Sequence, residues 1–289
     1  MSRSIIVVGN CQTGGIAAAL QYLFPSDRIK ALPIKSNILN ESLNRIRDAD
    51  VVVALPQLKT MLSRQGLPLP RQFIDIPGFY FSAFHPDIVG AKAKSAGTRF
   101  PTSYNSAIVL WGYLNGITPA DVQRLFTKQV FAQLGYFNRW ESSVARMQST
   151  FAKCGLDFDR IYLSVKRGGI FMHTVNHPRV SVLATMAKQI AERIEPGADL
   201  HKRDIPINDG LLNVEVWPVY PAVAHELAVP GAYTWRVERG TIIDGLPSYI
   251  EYAYEKYTKS GIPAHEIEFI GIDRQHYDSV LTANLGRNA

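Results

Sequence analysis

A regular alternation of strand-length and helix-length segments runs through about the first eighty residues and limits what this chain can fold into. Apolar runs at Ile5–Val8, Arg28–Ile34, Val51–Leu55 and Phe73–Ile76 begin roughly 22 residues apart. Helix-compatible segments, Gly15–Leu23, Leu39–Arg47 and Gln57–Gln65, lie between them. Such alternation predicts β-α-β units around a parallel sheet, with ligands outside the carboxyl ends of the strands. Phe79–Phe84 reads as a further strand that delivers His85-Pro86-Asp87 to the same edge.

Beyond about residue 100 the pattern turns helical. Ser106–Leu114 reads as a buried helix, and Thr118-Pro119-Ala120-Asp121 as a helix start with a threonine cap. A long helix follows around Trp140–Cys154, stopped by Gly155. Arg160–Val165 is predicted to return as a strand, and Val180–Ile194 to form an amphipathic helix. Prolines at 196, 206, 218, 221 and 230 mark a loop-rich stretch before a last helix, Ser248–Lys259, whose Tyr249, Tyr252 and Tyr257 read as packing. The expected fold is therefore α/β. A parallel-sheet part over about 1–100, of SGNH or flavodoxin type, is elaborated by a helix-rich remainder over about 101–289, folded as a single domain. A boundary near residue 100 between two domains is the alternative.

One turn stands out chemically. Gly9-Asn10-Cys11-Gln12-Thr13-Gly14-Gly15 joins the first strand to the first helix. A cysteine there sits beside unpaired backbone N–H groups and the positive end of a helix dipole, which favour thiolate. Cys11 is thus a candidate nucleophile, and the alternative is a small residue filling a turn. The Asn10 and Gln12 side chains, with the Gly9 turn, could bind an oxyanion, although turn formation and capping explain them too. Gly14 and Gly15 could allow close approach of a ligand.

A cysteine nucleophile needs a base. Of the seven histidines, His201, His225, His265 and His276 lie in contexts without a supporting pattern. His85, His173 and His177 remain, the last two within His173-Thr174-Val175-Asn176-His177-Pro178 ahead of an amphipathic helix.

Composition narrows the partners. The net charge of +6 over 289 residues is modest, with short basic pairs at Lys166-Arg167 and Lys202-Arg203. No basic run interleaves with aromatics, so nucleic acid is not expected; a pocket for a phosphorylated or acidic small ligand, or weak attraction to anionic lipid, is. The two cysteines, Cys11 and Cys154, make no disulfide framework, and with no secretory signal or membrane-length apolar run the expected compartment is the cytoplasm. A Walker loop, a dinucleotide-binding glycine pattern and a zinc signature are all missing from the sequence.

The Gly9-Asn10-Cys11 opening and the His177-Pro178 turn resemble the first and last blocks of SGNH-type esterases, with cysteine in place of serine. Thr174 stands where those enzymes carry the acid that orients histidine, and Asn10 replaces the first block's aspartate. Taken with Phe84-His85-Pro86-Asp87, these elements resemble the WcbI-type polysaccharide-biosynthesis family over about residues 4 to 195. That resemblance implies a coenzyme A-binding acetyltransferase, using acetyl-CoA on a capsular or surface polysaccharide or its sugar precursor. It also implies a cysteine-containing triad, with Cys11 as nucleophile and His177 as base and His85 as rival; with Thr174 in the acid's place, His173, Asp87 or a carboxylate not yet assigned would orient the imidazole. Lys166 and Arg167 would then meet the coenzyme A phosphates. The enzyme would use a small-molecule thioester and a carbohydrate acceptor, with peripheral association with polysaccharide-assembly machinery. A cysteine esterase or thioesterase, and a non-catalytic glycan- or nucleotide-binding protein, are the alternatives.

Overall fold

The computed structural model describes residues 2–33, 40–95, 100–198 and 204–286. Ile34 and Leu39, expected at element ends, lie outside these residues, as do His201 and the Lys202-Arg203 pair. The chain forms two compact units: residues 1–81 with 143–214, and residues 82–142 with 215–289.

The first unit opens with β1 (Ser4–Gly9), α1 (Thr13–Leu23), β2 (Arg28–Pro33), α2 (Asn40–Arg47), β3 (Val51–Ala54), α3 (Pro56–Arg64) and β4 (Gln72–Asp75). The strands form one parallel sheet in the order β2-β1-β3-β4, with Ile5 opposite Ile29 and Val51. Burial of both faces explains why β1 and β3 read as unbroken apolar runs. Ile6, Val8, Val52 and Ala54 pack with Ile46, Leu58 and Leu62 of α2 and α3, while Ile5, Val7 and Val53 are fully buried on the other face. Chain order reverses across β1 and β3, so the turn after β1 sits at the switch point where such sheets hold ligands.

The second unit then supplies β5 (Ile88–Ala93), β6 (Asn105–Ser106), α4 (Ala107–Leu114), α5 (Pro119–Arg124) and α6 (Lys128–Gln133). Ser106 and Thr118 cap α4 and α5 by accepting from Val109 N–H and Asp121 N–H. The first unit resumes within α7 (Arg139–Lys153), followed by α8 (Phe158–Lys166) and α9 (Val180–Ile194). Gly155, at φ +68°, ends α7 in the left-handed region that glycine enters without strain. The second unit closes with α10 (Pro221–Leu227), β7 (Thr234–Arg236), β8 (Ile242–Asp244), α11 (Leu246–Lys259), β9 (Ile267–Ile270) and α12 (Arg274–Leu285). Strand β5 pairs antiparallel with β6 and β9, and β7 with β8.

The α/β, helix-rich fold class expected from the sequence is the one observed, with three local corrections. Phe79–Phe84 is not a strand; it is an irregular buried segment in which Phe81 N–H donates to Val175 O. Arg160–Val165 is helix, not strand. Asp157 caps α8 by accepting from Asp159 and Arg160 N–H, and the buried residues Phe158, Ile161 and Val165 recur at helical spacing while Leu163 between them is 70 % exposed. The helix with the tyrosines is not the last, since α12 follows, capped by Asp273. Tyr249 and Tyr257 are buried, as packing requires.

Candidate active site

Cys11 is exposed on the β1–α1 turn, and this turn is tied down by its own polar groups. Asn10 Oδ1 accepts from Gln12 N–H at 3.0 Å, and Asn10 O accepts from the Thr13 hydroxyl at 2.9 Å. A Cβ at Gly9 would stand 3.2 Å from Thr13 Cγ2, so a side chain there would press on the first residue of α1. The first-turn amides of Gly14 and Gly15 have no intrahelical acceptor, which leaves them able to meet an oxyanion.

Gln12 has a different role from the expected one. Its side chain is buried; Nε2 donates to Phe79 O and to Asn176 O, both at 2.8 Å, and Oε1 accepts from Phe79 N–H at 3.0 Å. Both amide hydrogens are therefore spent. Gln12 fastens the cysteine turn to the 79 and 176 loops and offers no side-chain donor to an oxyanion.

A cavity of about 360 Å³ opens beside Cys11, lined by Gly14, Gly15 and Ala18 of α1, Val180 and Leu183 of α9, and the segment Asn208–Leu211 with Val214. Its walls are mostly apolar. A Cβ at Gly14 would meet nothing within 4 Å, whereas one at Gly15 would stand 2.5 Å from Leu183 Cδ1. Gly14 thus leaves room in the cavity, and Gly15 lets α1 pack on α9.

Although the residue is exposed to solvent, desolvation by the surrounding cavity wall pushes the Cys11 thiol upward, and its own backbone N–H partly offsets this. Desolvation thus opposes the thiolate preference expected from the turn, and a base assists Cys11 during reaction.

Among the histidines, His173 has the informative environment. It is 5 % exposed, and its Nε2 donates to Asp209 Oδ2 at 2.9 Å. The same oxygen accepts from Val180 N–H at 3.0 Å. His177 is buried, and its carbonyl accepts from His173 N–H at 2.7 Å, closing the turn. His85 belongs to the second unit, where its Nε2 donates to Trp217 O at 3.0 Å. Asp87 does not orient an imidazole: its oxygens accept from Tyr136 Oη at 2.6 Å, Tyr220 Oη at 2.9 Å and Ile108 N–H at 3.2 Å. Lys166 lies 5.2 Å over the Tyr162 ring at the end of α8 and Arg167 caps that helix; neither lines the cavity. Asn208 and Asp209 do line it, and sequence reasoning missed them because Asn208-Asp209-Gly210 reads only as a turn.

A strand–turn–helix elbow presenting a reactive side chain is an arrangement of enzymes that work through a nucleophile on an α/β scaffold. Residues 4–198 match the model of the family described as polysaccharide biosynthesis enzyme WcbI, and this chain belongs to that family. A solved structure described as WcbI, a novel polysaccharide biosynthesis enzyme, aligns over 99 % of this chain and 99 % of its own, with a TM-score of 0.66 and 14 % identity. That likeness is one of fold. The same description concerns a native protein without a disulfide bond between coenzyme A and one of its cysteines. No curated protein matches the sequence. Among the described residues, no helix is long and apolar enough to cross a membrane, and no group of three or more His, Cys, Asp or Glu side chains could hold a metal.

Proposed function

We propose that this protein transfers an acetyl group from acetyl-CoA to a hydroxyl of a capsular or surface polysaccharide or its sugar precursor, by way of Cys11. The carrying observation is Cys11 on the wall of a mostly apolar cavity in a chain of the WcbI family. Apolar walls with an open Gly14 and the polar residues Asn208 and Asp209 suit a thioester arm with its amides. The naming of coenzyme A and a cysteine together for the solved WcbI structure supports the same donor. Lys166 and Arg167, which form no ion pair among the described residues, are the cations we assign to the coenzyme A phosphates. Use of a coenzyme A thioester agrees with work in the cytoplasm.

In the first half-reaction the Cys11 thiol gives its proton to a base while sulfur attacks the thioester carbon. The first-turn amides of α1 receive the oxyanion, each such donor being worth about 3 kcal/mol. The base returns the proton to the departing thiol, and an acetyl-cysteine remains. In the second half a sugar hydroxyl, deprotonated by the same base, takes the acetyl group and Cys11 regains its proton.

Incubation with acetyl-CoA, acid quenching and intact-mass measurement is expected to show one acetyl group on the protein, located on Cys11 by peptide mapping. Absence of that adduct, with acetyl-CoA neither consumed nor bound, overturns the proposal. Acetyl-CoA consumed with water as sole acceptor, whatever sugars are supplied, makes the protein a thioesterase instead.

Gly14 gives a second check. Gly14→Leu places a side chain in the cavity while improving helix propensity by about 1 kcal/mol. Thermal stability is expected to hold, while coenzyme A affinity measured by calorimetry drops by about tenfold or more. Unchanged affinity moves the thioester arm out of this cavity.

A further inference from the structure

Asp209 lies beyond the residues that match the family, in a loop that the sequence marks only as a turn. Its carboxylate is nevertheless placed with care. Oδ2 takes two hydrogen bonds, from His173 Nε2 and Val180 N–H, while Oδ1 is buried without a partner. Asp87 has its oxygens satisfied by Tyr136, Tyr220 and Ile108, whereas Asp75 and Glu215 each have, like Asp209, one buried oxygen without a partner. What sets Asp209 apart is its place on the cavity wall and its bond to a histidine. An unsatisfied buried oxygen costs about 1–3 kcal/mol, and the residue that carries this one lines the same cavity as Cys11.

The bond to Asp209 also selects the state of the ring. A carboxylate oxygen only accepts, so the Nε2 of His173 carries the hydrogen and Nδ1 is left as the basic nitrogen. Nδ1 makes no hydrogen bond among the described residues. The loop that carries His173 is fixed to the cysteine turn by the Gln12 bond to Asn176 O and to the start of α9 by Asp209. His177, four residues on, contributes its carbonyl to the same turn.

We propose that His173, held by Asp209 in the tautomer with a free Nδ1, is the base that serves Cys11, with Asp209 as the positioning residue. This deepens the acyl-transfer reading and rests on it for the identity of the donor. The Cys11 proton passes to His173 Nδ1 as the sulfur–carbon bond forms, and then to the leaving thiolate as the old carbon–sulfur bond breaks. The acceptor hydroxyl gives its proton to the same nitrogen, its oxygen bonds to the acetyl carbon, and the proton returns to the released Cys11 sulfur. Asp209 faces the ring at Nε2, His177 closes the same turn, and Cys11 shares the cavity wall with Asp209.

The test uses the full chain and p-nitrophenyl acetate, which acylates a nucleophile without needing a coenzyme A site. The burst of p-nitrophenolate is followed against pH for the wild type, His173→Gln, Asp209→Asn and Asp209→Glu, with peptide mapping to locate the acetyl group on Cys11. The wild-type burst rate is expected to depend on pH along a limb that belongs to the base. His173→Gln is expected to lose that limb and about 10²-fold in rate. Asp209→Asn, lacking the acceptor that fixes the ring, is expected to slow the burst about tenfold and alter its pH profile, and Asp209→Glu to recover part of both. A folded His173→Gln variant with the wild-type profile overturns the proposal.

Should the variants fail to fold, the ring nitrogens of His173 in the wild type are read by NMR; a hydrogen on Nδ1 in place of Nε2 also overturns it. An ester burst with the expected limb but no acylation by acetyl-CoA defeats the donor reading and leaves the pair standing. Acylation by acetyl-CoA with a profile indifferent to His173→Gln does the reverse.

Discussion

Cys11→Ala is expected to lower acetyl transfer by about 10⁴-fold or more, while coenzyme A affinity stays within a factor of about three. The asymmetry follows from where the residue sits. Cys11 is one of eleven residues lining the cavity, and it is exposed, so removing one sulfur takes away little of the surface that would hold the ligand. The chemistry has no substitute: the other cysteine, Cys154, is buried and its thiol is likewise pushed up by burial. Stability is expected to change by less than about 0.5 kcal/mol, as for most exposed substitutions. Cys11→Ser tests the same point more finely, because a hydroxyl is far harder to ionise than a thiol and depends more heavily on the base. Parallel calorimetry and product assays decide it. Turnover that survives the alanine change rules out covalent catalysis at this position.

The largest expected effect on stability belongs to Asp87. Its carboxylate is fully enclosed in the second unit and receives hydrogen bonds from Tyr136, Tyr220 and Ile108, with Tyr277 donating to Tyr136 Oη behind them. Asp87→Ala leaves those donors facing a void, and a cost of about 3–5 kcal/mol is expected. A pH dependence accompanies it. Burial, opposed by hydrogen bonds from Ser106, Tyr136, Tyr220 and Ile108, raises the Asp87 carboxyl from 3.8 to about 6. A group whose folded-state value is raised binds its proton more tightly when folded. Its stabilising contribution is full below the ordinary value and is lost as pH rises through about 6. Glu215, raised by burial to about 7, acts in the same direction. Urea unfolding of the wild type is expected to give about 1 kcal/mol more stability from Asp87 at pH 5 than at pH 7.5. In Asp87→Ala that share of the difference disappears; an unaltered pH dependence contradicts the assignment.

The parallel sheet was legible because its strands obey one simple demand. Ile5–Val8 and Val51–Ala54 are buried on both faces, so they appear as uninterrupted apolar runs, and the helices between them are short enough to leave a clear spacing. Arg160–Val165 misled because Ile161, Leu163 and Val165 alternate as a strand would. The stronger signals were the Asp157 cap and the helical spacing of Phe158, Ile161 and Val165. In Phe79–Phe84 the aromatic side chains belong to the core without the backbone forming a ladder, a distinction that composition does not carry. The cysteine elbow was legible for the opposite reason from the sheet: it is local, written in seven consecutive residues. The partner of His173 was not, because Asp209 reaches it across 36 residues of chain and only the packed fold brings the two side chains together.

The Gln12 clamp has a consequence for how such a site can be moved or inherited. Its three hydrogen bonds reach 67 residues forward to Phe79 and 164 residues forward to Asn176. The Gly9-Asn10-Cys11-Gln12 sequence is short, but it is no portable cassette. Transplanted with its strand and helix into another sheet, it would carry a buried amide with no loops to hold. The cysteine would then sit on a turn free to relax, so the smallest transferable version of this elbow is nearly the whole first unit.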